Sequence, residues 1–241
     1  MTTLSRRSNM KRWIKGVVFD LDGTLINSSI DFMMMRTNLV SYLIEKGIPA
    51  GIVSLEQTVG TNLSRFRDYL RGRGEHPKLV ELEEGVNAVL TEAELRDVAA
   101  TTMVNGAART IALLREKGYL IGLLTRGSRR YALRALDVAG LSPDLFDTII
   151  CRDDVPAGET KPNGKAMERM ASELCLSPEE CVMIGDHPMD QACAAAAGSA
   201  FLGVLTGWCD AKVWGNNGCQ SVLRSVTEVP AWLERVNAAD R

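Results

Sequence analysis

The stretch Val17-Val18-Phe19-Asp20-Leu21-Asp22-Gly23-Thr24-Leu25 places two acidic residues directly after an apolar run. An apolar run of this kind is typical of a buried strand in a parallel sheet. Side chains alternate along a strand, so Asp20 and Asp22 should lie on one face, with Leu21 on the other. Gly23 is expected to end the strand. The two carboxylates therefore belong at the carboxyl end of a strand, where open α/β sheets bind their ligands.

Two neighbouring carboxylates repel each other, so each resists ionisation. A cation between them removes that cost, and hard oxygen ligands of this type suit Mg²⁺. The stretch therefore indicates a metal-dependent site with a carboxylate nucleophile. The alternative is a strand that ends in an acidic turn without a catalytic role.

The composition is that of an ordinary globular protein, with 46% hydrophobic and 24% charged residues in a chain of 241. This length fits one large domain or a domain with an insertion. The net charge of −2 gives no basic bias that would indicate a nucleic-acid partner. No apolar run is long enough to span a membrane, so no membrane partner is predicted.

The cysteines and the start of the chain bear on the cellular compartment. Six scattered cysteines form no CxxC pair, and with only two histidines a zinc site is not expected. Free thiols, several of them buried, in a reducing compartment are the prediction. Residues 1–14 are basic but lack the apolar centre of a signal sequence, so we expect a basic N-terminal tail on a cytoplasmic protein.

Residues 28–104 carry helical patterns and no convincing strand. Ser28 or Ser29 is predicted to cap a helix that runs to Lys46. Further helices are predicted over 55–70, 77–89 and 91–103, the last with Thr91 and Glu94 as a capping box. The segment is therefore predicted to be an all-helical domain inserted after the first strand.

From Asn105 onward, helical and strand patterns alternate. Asn105, Ser128 and Asn163 are predicted to cap three of the helices. Strands are predicted at 119–125, 148–151, 181–185 and 200–205, with helices at 107–117, 129–139, 164–174, 191–197 and 228–236. This alternation implies right-handed crossovers and a doubly wound, Rossmann-like parallel sheet. The α/β core is predicted to comprise residues 15–27 and 105–241.

Polar groups follow three further predicted strands. The second strand leads into Thr125-Arg126-Gly127-Ser128, where a hydroxyl and free backbone N–H groups beside a helix start form an anion seat. The loop after the third contains Lys161-Pro162, and the fourth leads into Asp186-His187-Pro188-Met189-Asp190. Taken singly, each piece has a simpler interpretation. Thr125 would be a helix cap, Lys161-Pro162 a surface turn, and Asp186 a turn-forming residue after Gly185. Together they place four carboxylates, one hydroxyl and one lysine at one sheet edge, which indicates a site for Mg²⁺ and a phosphoryl group.

These motifs resemble those of the haloacid dehalogenase-like hydrolase superfamily, in its phosphatase branch, phosphoglycolate phosphatase-like and with a helical type-1 cap. The resemblance covers about 15–27 and 105–205. It rests on Asp20-x-Asp22-Gly23-Thr24, Thr125, Lys161-Pro162 and Gly185-Asp186-x-x-x-Asp190. The first motif is highly specific in this context, and the other three are specific only as a set. The resemblance implies a Mg²⁺-dependent phosphatase that acts on a small phosphorylated metabolite, with a cap over residues 28–104.

The resemblance also implies roles for individual residues. Asp20 would attack phosphorus and form an aspartyl-phosphate, while Asp22 would protonate the leaving oxygen and then deprotonate the water. Mg²⁺ would be bound by Asp20, the backbone carbonyl of Asp22, and Asp186. The phosphoryl group would be held by Thr125, the backbone N–H of Arg126 and Lys161, with Lys161 also neutralising charge. Asp190 would orient Lys161 or a metal-bound water, and Thr24 would support the site from behind.

Two positions depart from the resembled pattern. His187 stands where a small hydroxyl residue is common, and it is either a pH-sensitive group or a neutral hydrogen-bonding filler. Arg126 stands where Asn is common, and it either faces the substrate or is a solvated charge. The insertion also carries a basic cluster that either binds a second anionic group or forms a solvated helix face: Arg65, Arg67, Arg71, Arg73, His76 and Lys78.

Three other functions stay open from the sequence. They are a phosphosugar mutase of the β-phosphoglucomutase kind, a pyrophosphatase, and a non-catalytic binding module of the same fold. Intact Asp20, Asp22, Lys161 and Asp186 argue against the binding module. The expected oligomeric state is a monomer or a homodimer.

Overall fold

The structure, a computed structural model, describes residues 13–239. The tail predicted at 1–14 lies outside these residues except for Trp13 and Ile14, and Ile14 is buried. The strands are β1 Gly16–Phe19, β2 Ile26–Asn27, β3 Thr102–Met103, β4 Leu120–Leu124, β5 Thr148–Ile150, β6 Cys181–Gly185, β7 Ala200–Val204 and β8 Val222–Leu223. The helices are α1 Phe32–Glu45, α2 Val59–Gly72, α3 His76–Arg96, α4 Ala107–Glu116, α5 Arg129–Ala139, α6 Gly164–Glu173, α7 Pro188–Ala197, α8 Ala211–Asn216 and α9 Val229–Ala239.

Six strands form a sheet in the order β5-β4-β1-β6-β7-β8, and every neighbouring pair is parallel. The chain builds outward from β1 to β4 and β5 on one side, and then to β6, β7 and β8 on the other. Phe19 at the end of β1 is level with Leu123 of β4 and with Ile184 of β6. The carboxyl ends of the three central strands therefore meet where the strand order reverses, which is where such sheets bind ligands.

Alternate residues of β1 pack into two different cores, which explains its wholly apolar sequence. Val17 and Phe19 join a cluster with side chains of α4, α5 and α9, whereas Val18 joins a cluster with side chains of α6 and α7. Helices therefore cover both faces of the sheet. The predicted doubly wound α/β fold is confirmed.

Helices α1, α2 and α3 pack around a third cluster of their own. The α3 residues Leu82, Val86 and Leu90 recur every four positions and are almost fully buried there. The antiparallel pair β2 and β3 stands at the two points where the chain enters and leaves this helical segment. The segment thus has its own apolar interior, joined to the sheet through paired strands.

Several predictions about the helical segment were wrong. Asp31, rather than Ser28 or Ser29, caps α1, and its Oδ1 accepts from the Met34 backbone N–H at 2.9 Å. The helices predicted over 77–89 and 91–103 are one continuous helix, α3, that ends at Arg96. The span predicted to lack strands contains β3. The helix predicted from 55 begins only at Val59, after its cap Thr58.

Predictions for the α/β core were closer. Ser128 and Asn163 do cap α5 and α6, but Gly106 with φ of +80° occupies the cap position of α4 in place of Asn105. Helix α7 begins at Pro188, three residues before the predicted start, and α8 and β8 were not predicted. All six cysteines are free, and four are buried, whereas Cys175 is exposed. None of the helices in residues 13–239 has the length and apolar character to cross a membrane.

Candidate active site

Asp20 follows the last residue of β1 and extends the sheet by one hydrogen bond, because its backbone N–H donates to the Ile184 carbonyl at 2.9 Å. Its side chain is buried and forms an ion pair with the Lys161 ammonium group. Lys161 reaches this position from a loop that precedes α6. It also donates to Asp190 Oδ1, at 2.7 Å, from the first turn of α7. The structure therefore brings a predicted nucleophile, a predicted lysine and a predicted positioning residue into direct contact.

Asp186 follows β6 and completes an acidic cluster with Asp20 and Asp190. One oxygen from each of the three buried carboxylates lies within 4.8 Å of the others. The Trp208 backbone N–H donates to Asp186 Oδ2 at 2.6 Å. Within residues 13–239, this cluster joins the carboxyl ends of β1 and β6, as the motif spacing predicted.

Two glycines allow the chain to pass close to Asp186. A Cβ atom on Gly23 would lie 2.3 Å from Asp186 Oδ2, and one on Gly207 would lie 2.0 Å from it. Gly23 also has φ of +78°, which side-chain-bearing residues seldom adopt. The sequence reasoning missed the contribution of Gly207 and Trp208, because the late loop carries no motif.

Burial and mutual repulsion both oppose ionisation of the carboxylates in the acidic cluster. Burial raises the pKa of Asp20 well above its ordinary value, although Lys161 opposes the shift. Burial likewise raises the pKa of Asp186 to about 6. Burial alone lowers the pKa of Lys161, but Asp190 and Asp20 outweigh it and raise that pKa. Three carboxylates thus share one lysine, and the negative charge left over needs another cation.

This donor set fits a hard divalent cation such as Mg²⁺, which prefers oxygen ligands. Asp20 and Asp186, two of the predicted ligands, belong to the cluster, and Asp190 belongs to it as well. The Asp22 side chain does not belong to it, which is compatible with the expectation that Asp22 contributes its backbone carbonyl. The Thr24 side chain is fully buried behind this edge, and its hydroxyl has no hydrogen-bond partner among the described residues.

The raised pKa of Asp186 predicts how stability depends on pH. Its pKa rises from 3.8 to about 6 on folding, so the native state holds this proton more tightly than the unfolded chain does. Without metal, the free energy of unfolding should therefore fall as pH rises from about 4 to about 6, relative to an Asp186→Asn variant. Bound Mg²⁺ favours the ionised carboxylate, so stabilisation by Mg²⁺ should grow over the same window.

Thermal unfolding between pH 4 and 8 checks this, with EDTA or with excess Mg²⁺. The difference in melting temperature between wild type and Asp186→Asn isolates this carboxylate from the other titrating groups. A difference that stays constant with pH, or a Mg²⁺ shift that is largest at acidic pH, would contradict the prediction.

Asp22 is not part of the acidic cluster and contacts α5 instead. Its Oδ1 accepts a hydrogen bond from the Tyr131 hydroxyl at 2.5 Å, and the Ser28 side chain also hydrogen-bonds to it. Burial raises the pKa of Asp22, and these two hydrogen bonds oppose the rise. Burial and Asp22 raise the pKa of Tyr131, so its hydroxyl remains a donor at neutral pH. Asp22 is thereby held by its own hydrogen-bond donors outside the acidic cluster, while the charge of Lys161 still lowers its pKa.

The loop after β4 places Thr125, which is buried, beside these groups. Its Oγ1 accepts the Gly127 backbone N–H at 3.0 Å and tightens the turn into α5. Ser128 then caps α5 by accepting from the Tyr131 backbone N–H at 3.3 Å. The sequence predicted an anion seat of free backbone N–H groups here, and that prediction was only partly right. The Gly127 N–H donates to Thr125 and the Ser128 N–H donates to Glu94, so the Arg126 N–H is the one left for an anion in this turn.

A buried ion pair ties the helical segment to this loop. Glu94 of α3 accepts hydrogen bonds from the Ser128 backbone N–H, at 3.1 Å, and from its hydroxyl, at 2.9 Å. The same carboxylate pairs with Arg152, which also donates to the Arg126 carbonyl at 2.9 Å. The capping box predicted for Thr91 and Glu94 is therefore wrong, because Glu94 accepts hydrogen bonds from the loop after β4 instead.

Replacing Glu94 by Gln should lower the free energy of unfolding by about 3 kcal/mol, because the Arg152 side chain, only 16% exposed, would lose its counter-charge. Chemical denaturation measures this. Glu75→Gln is the matched control, since its pair with Arg73 is exposed to solvent and is expected to contribute little to stability. Equal effects of the two substitutions would contradict the assigned role of Glu94.

His187 caps α7, because its Nδ1 accepts the Met189 backbone N–H at 3.1 Å. Its ring lies 4.6 Å from that of Trp208, and burial lowers its pKa. A ring nitrogen that accepts a hydrogen bond carries no proton. These contacts favour the neutral hydrogen-bonding filler over the pH-sensitive group.

Comparison with known proteins agrees with this geometry. The family model for haloacid dehalogenase-like hydrolases matches residues 14–198. The chain belongs to this family. A phosphoglycolate phosphatase of Cereibacter sphaeroides is 31% identical over 199 residues, which cover 82% of the chain and 88% of that protein. A validoxylamine A 7'-phosphate phosphatase of Streptomyces hygroscopicus subsp. limoneus is 29% identical over 193 residues, 80% of the chain and 86% of that protein.

A solved structure supports the same assignment. A haloacid dehalogenase family hydrolase from Deinococcus radiodurans R1, with bound phosphate and sodium, superimposes with a TM-score of 0.60 and 26% identity. The match covers 92% of this chain and 96% of that one. The predicted family, in its phosphatase branch, and the predicted enzyme class are therefore confirmed.

Proposed function

We propose that the chain is a Mg²⁺-dependent phosphatase that hydrolyses the phosphate monoester of a small metabolite through an aspartyl-phosphate on Asp20. The observation that carries this proposal is the buried contact between Asp20 and Lys161 inside a cluster of carboxylates. Such a site can ionise Asp20 and attract an anionic ester only with added positive charge. The chain is also similar to two enzymes named as phosphatases, one of phosphoglycolate and one of validoxylamine A 7'-phosphate, and this similarity supports the same chemistry.

In the first step, an oxygen of the Asp20 carboxylate attacks phosphorus, and the bond from phosphorus to the ester oxygen breaks. Asp22 gives its proton to the leaving oxygen. In the second step Asp22, now ionised, takes a proton from water, which attacks phosphorus and frees the Asp20 carboxylate. Bound Mg²⁺ supplies positive charge that offsets the anionic ester and the carboxylates.

The surrounding residues suit these two steps. Lys161 neutralises the nucleophile before attack and the phosphoryl oxygens afterwards. Thr125 and the backbone N–H of Arg126 hold the phosphoryl group near the start of α5. Asp22 must be protonated in one step and ionised in the next, so it needs a pKa closer to neutral than a free Asp has. Burial and the Tyr131 hydroxyl act on that pKa in opposite directions.

We further propose that residues 28–104 act as a cap on the core formed by 15–27 and 105–241. The separate apolar cluster of α1, α2 and α3, and the β2–β3 pair at its base, support this division. A cap that closes over Asp20 excludes water during phosphoryl transfer and selects the substrate.

The test is hydrolysis by the purified chain of an aryl phosphate and a panel of phosphorylated metabolites, with Mg²⁺ or with EDTA. We expect phosphate release that requires Mg²⁺. Activity that survives EDTA would refute the metal assignment, and inertness toward every ester would favour a non-catalytic module. Faster isomerisation of a glucose phosphate than phosphate release would identify a mutase, and a preference for pyrophosphate would identify a pyrophosphatase.

A further inference from the structure

The side chain of Arg126 lies between the helical segment and the α/β core. Its Nη1 lies 2.9 Å from Met189 Sδ in the first turn of α7. On the opposite side, a Cβ atom on Gly60 of α2 would lie 3.6 Å from its Nη2. Met189 adjoins Asp190 of the acidic cluster, and the charge of Arg126 acts on both Asp190 and His187, so the guanidinium group stands beside the proposed site at the interface of the two parts.

The guanidinium groups of Arg67 and Arg152 both act on that of Arg126, and each of these two has a carboxylate of its own. Arg67 makes a forked contact with Glu83, at 2.5 and 2.9 Å. Arg152 pairs in the same way with Glu94. The third guanidinium group, that of Arg126, takes part in neither pair.

Arg126 has no carboxylate within ion-pairing distance in residues 13–239. Asp190 attracts it, but that carboxylate is already bound to Lys161 at 2.7 Å. Burial, Arg152 and Arg67 lower the pKa of Arg126, and they outweigh the attraction of Asp190 and Glu94. A partly buried charge without a carboxylate in ion-pairing distance is costly, so this interface is suited to an anion that the chain does not supply.

We propose that Arg126 binds a second anionic group of the substrate, a carboxylate or a second phosphate, on the part that leaves when Asp20 takes the phosphoryl group. Guanidinium presents a planar fork that matches both anions. This inference rests on the proposed phosphatase function and narrows its substrate class to small phosphate esters with a further negative charge. The anion is expected close to the ester, because the guanidinium group lies against Met189, the neighbour of Asp190 in the acidic cluster.

The basic cluster of the insertion is less suited to this role, because most of its charges are already paired. Arg73 and Lys78 contact Glu75, and Arg71 lies 3.9 Å from Asp68. Arg65 is exposed and reaches the Gly51 carbonyl. The unpaired cation beside the site belongs to the core motif rather than to this cluster.

The experiment compares two matched pairs of esters, each with and without the second anion. Phosphoglycolate against ethyl phosphate tests a carboxylate, and glucose 1,6-bisphosphate against glucose 6-phosphate tests a second phosphate. In one of the two pairs, the wild type should have a higher kcat/KM for the ester that carries the second anionic group. Arg126→Gln should reduce that preference by about 10- to 100-fold, the usual range for a charge-assisted hydrogen bond. Arg126→Lys should retain part of it, and the pair that responds identifies the anion.

Arg65→Gln is the control, since it removes an exposed arginine of α2 and should leave the preference unchanged. Arg126→Gln should also melt no lower than wild type, because it removes a charge without a partner. The subsite would be refuted if Arg126→Gln kept both preferences within twofold of wild type. It would also be refuted if this variant melted at a lower temperature with unchanged preferences. Neither outcome would contradict the phosphatase activity itself. Hydrolysis of an aryl phosphate without any preference in either pair would also refute the subsite. Failure to hydrolyse any ester would refute the proposed function, and the subsite with it.

Discussion

Replacing Asp20 by Asn should abolish phosphate-ester hydrolysis, with kcat at least about 10⁴-fold below wild type, as for loss of a catalytic nucleophile elsewhere. The amide has the size of the carboxylate but no negative charge, so it cannot attack phosphorus. It also removes one of the three carboxylates of the acidic cluster. Steady-state hydrolysis of an aryl phosphate at saturating Mg²⁺ measures the loss.

The fold should survive this substitution. Lys161 keeps its contact with Asp190, and one source of repulsion in the buried cluster is removed. Asp68→Asn serves as the control, since Asp68 is exposed on α2. Activity of Asp20→Asn within tenfold of wild type, in a folded protein, would show that another group attacks phosphorus.

Replacing Lys161 by Met should reduce kcat/KM by about 10³-fold or more, since preorganised charge is among the largest contributions to such rates. Met keeps the length of the side chain and its apolar stem. Without the ammonium group, Asp20 and Asp190 face each other uncompensated, so the pKa of Asp20 should rise further and less of the nucleophile is ionised.

Two measurements separate this effect from unfolding. Rate against pH should show the rising limb of Lys161→Met displaced to higher pH, whereas Lys165→Met should match wild type because Lys165 pairs with Glu159 at the surface. Circular dichroism checks that the variant is folded. A rate within tenfold of wild type with an unchanged pH profile would contradict the role of Lys161.

The arrangement of the site could be predicted because Asp20, Thr125 and Asp186 each follow a strand directly, and Lys161-Pro162 is a local signal in the loop before α6. Parallel strands bring such ends together whatever the details of packing. The fold could be predicted for the same reason, because apolar runs and helix caps such as Ser128 are also recognisable from neighbouring residues in the sequence.

The partners of these residues could not be predicted, because they depend on how distant segments pack. Tyr131 contacts Asp22 across a separation of 109 residues, and nothing near Tyr131 marks it as a site residue. Gly207 and Trp208 reach Asp186 from a loop without a motif. These are contacts that only the tertiary structure determines.

Glu94 shows how a local signal can mislead. Thr91 and Glu94 have the spacing of a capping box, but the buried stripe of α3 continues through Leu90 and holds one helix across that point. The carboxylate then pairs with Arg152 of the core. Tertiary packing outweighs local propensity here, as is common for short helical signals.

The central claim is that the phosphoryl group passes through Asp20, and trapping it tests this most directly. Asp22→Asn should form the phosphoenzyme from 4-nitrophenyl phosphate, because nitrophenolate leaves without a proton, but should hydrolyse it slowly without a base. The measurement is mass spectrometry of this variant after rapid acid quench. We predict one added phosphoryl group on the peptide that contains Asp20. Nitrophenolate release without a phosphorylated peptide, or with the phosphoryl group on another residue, would contradict the account.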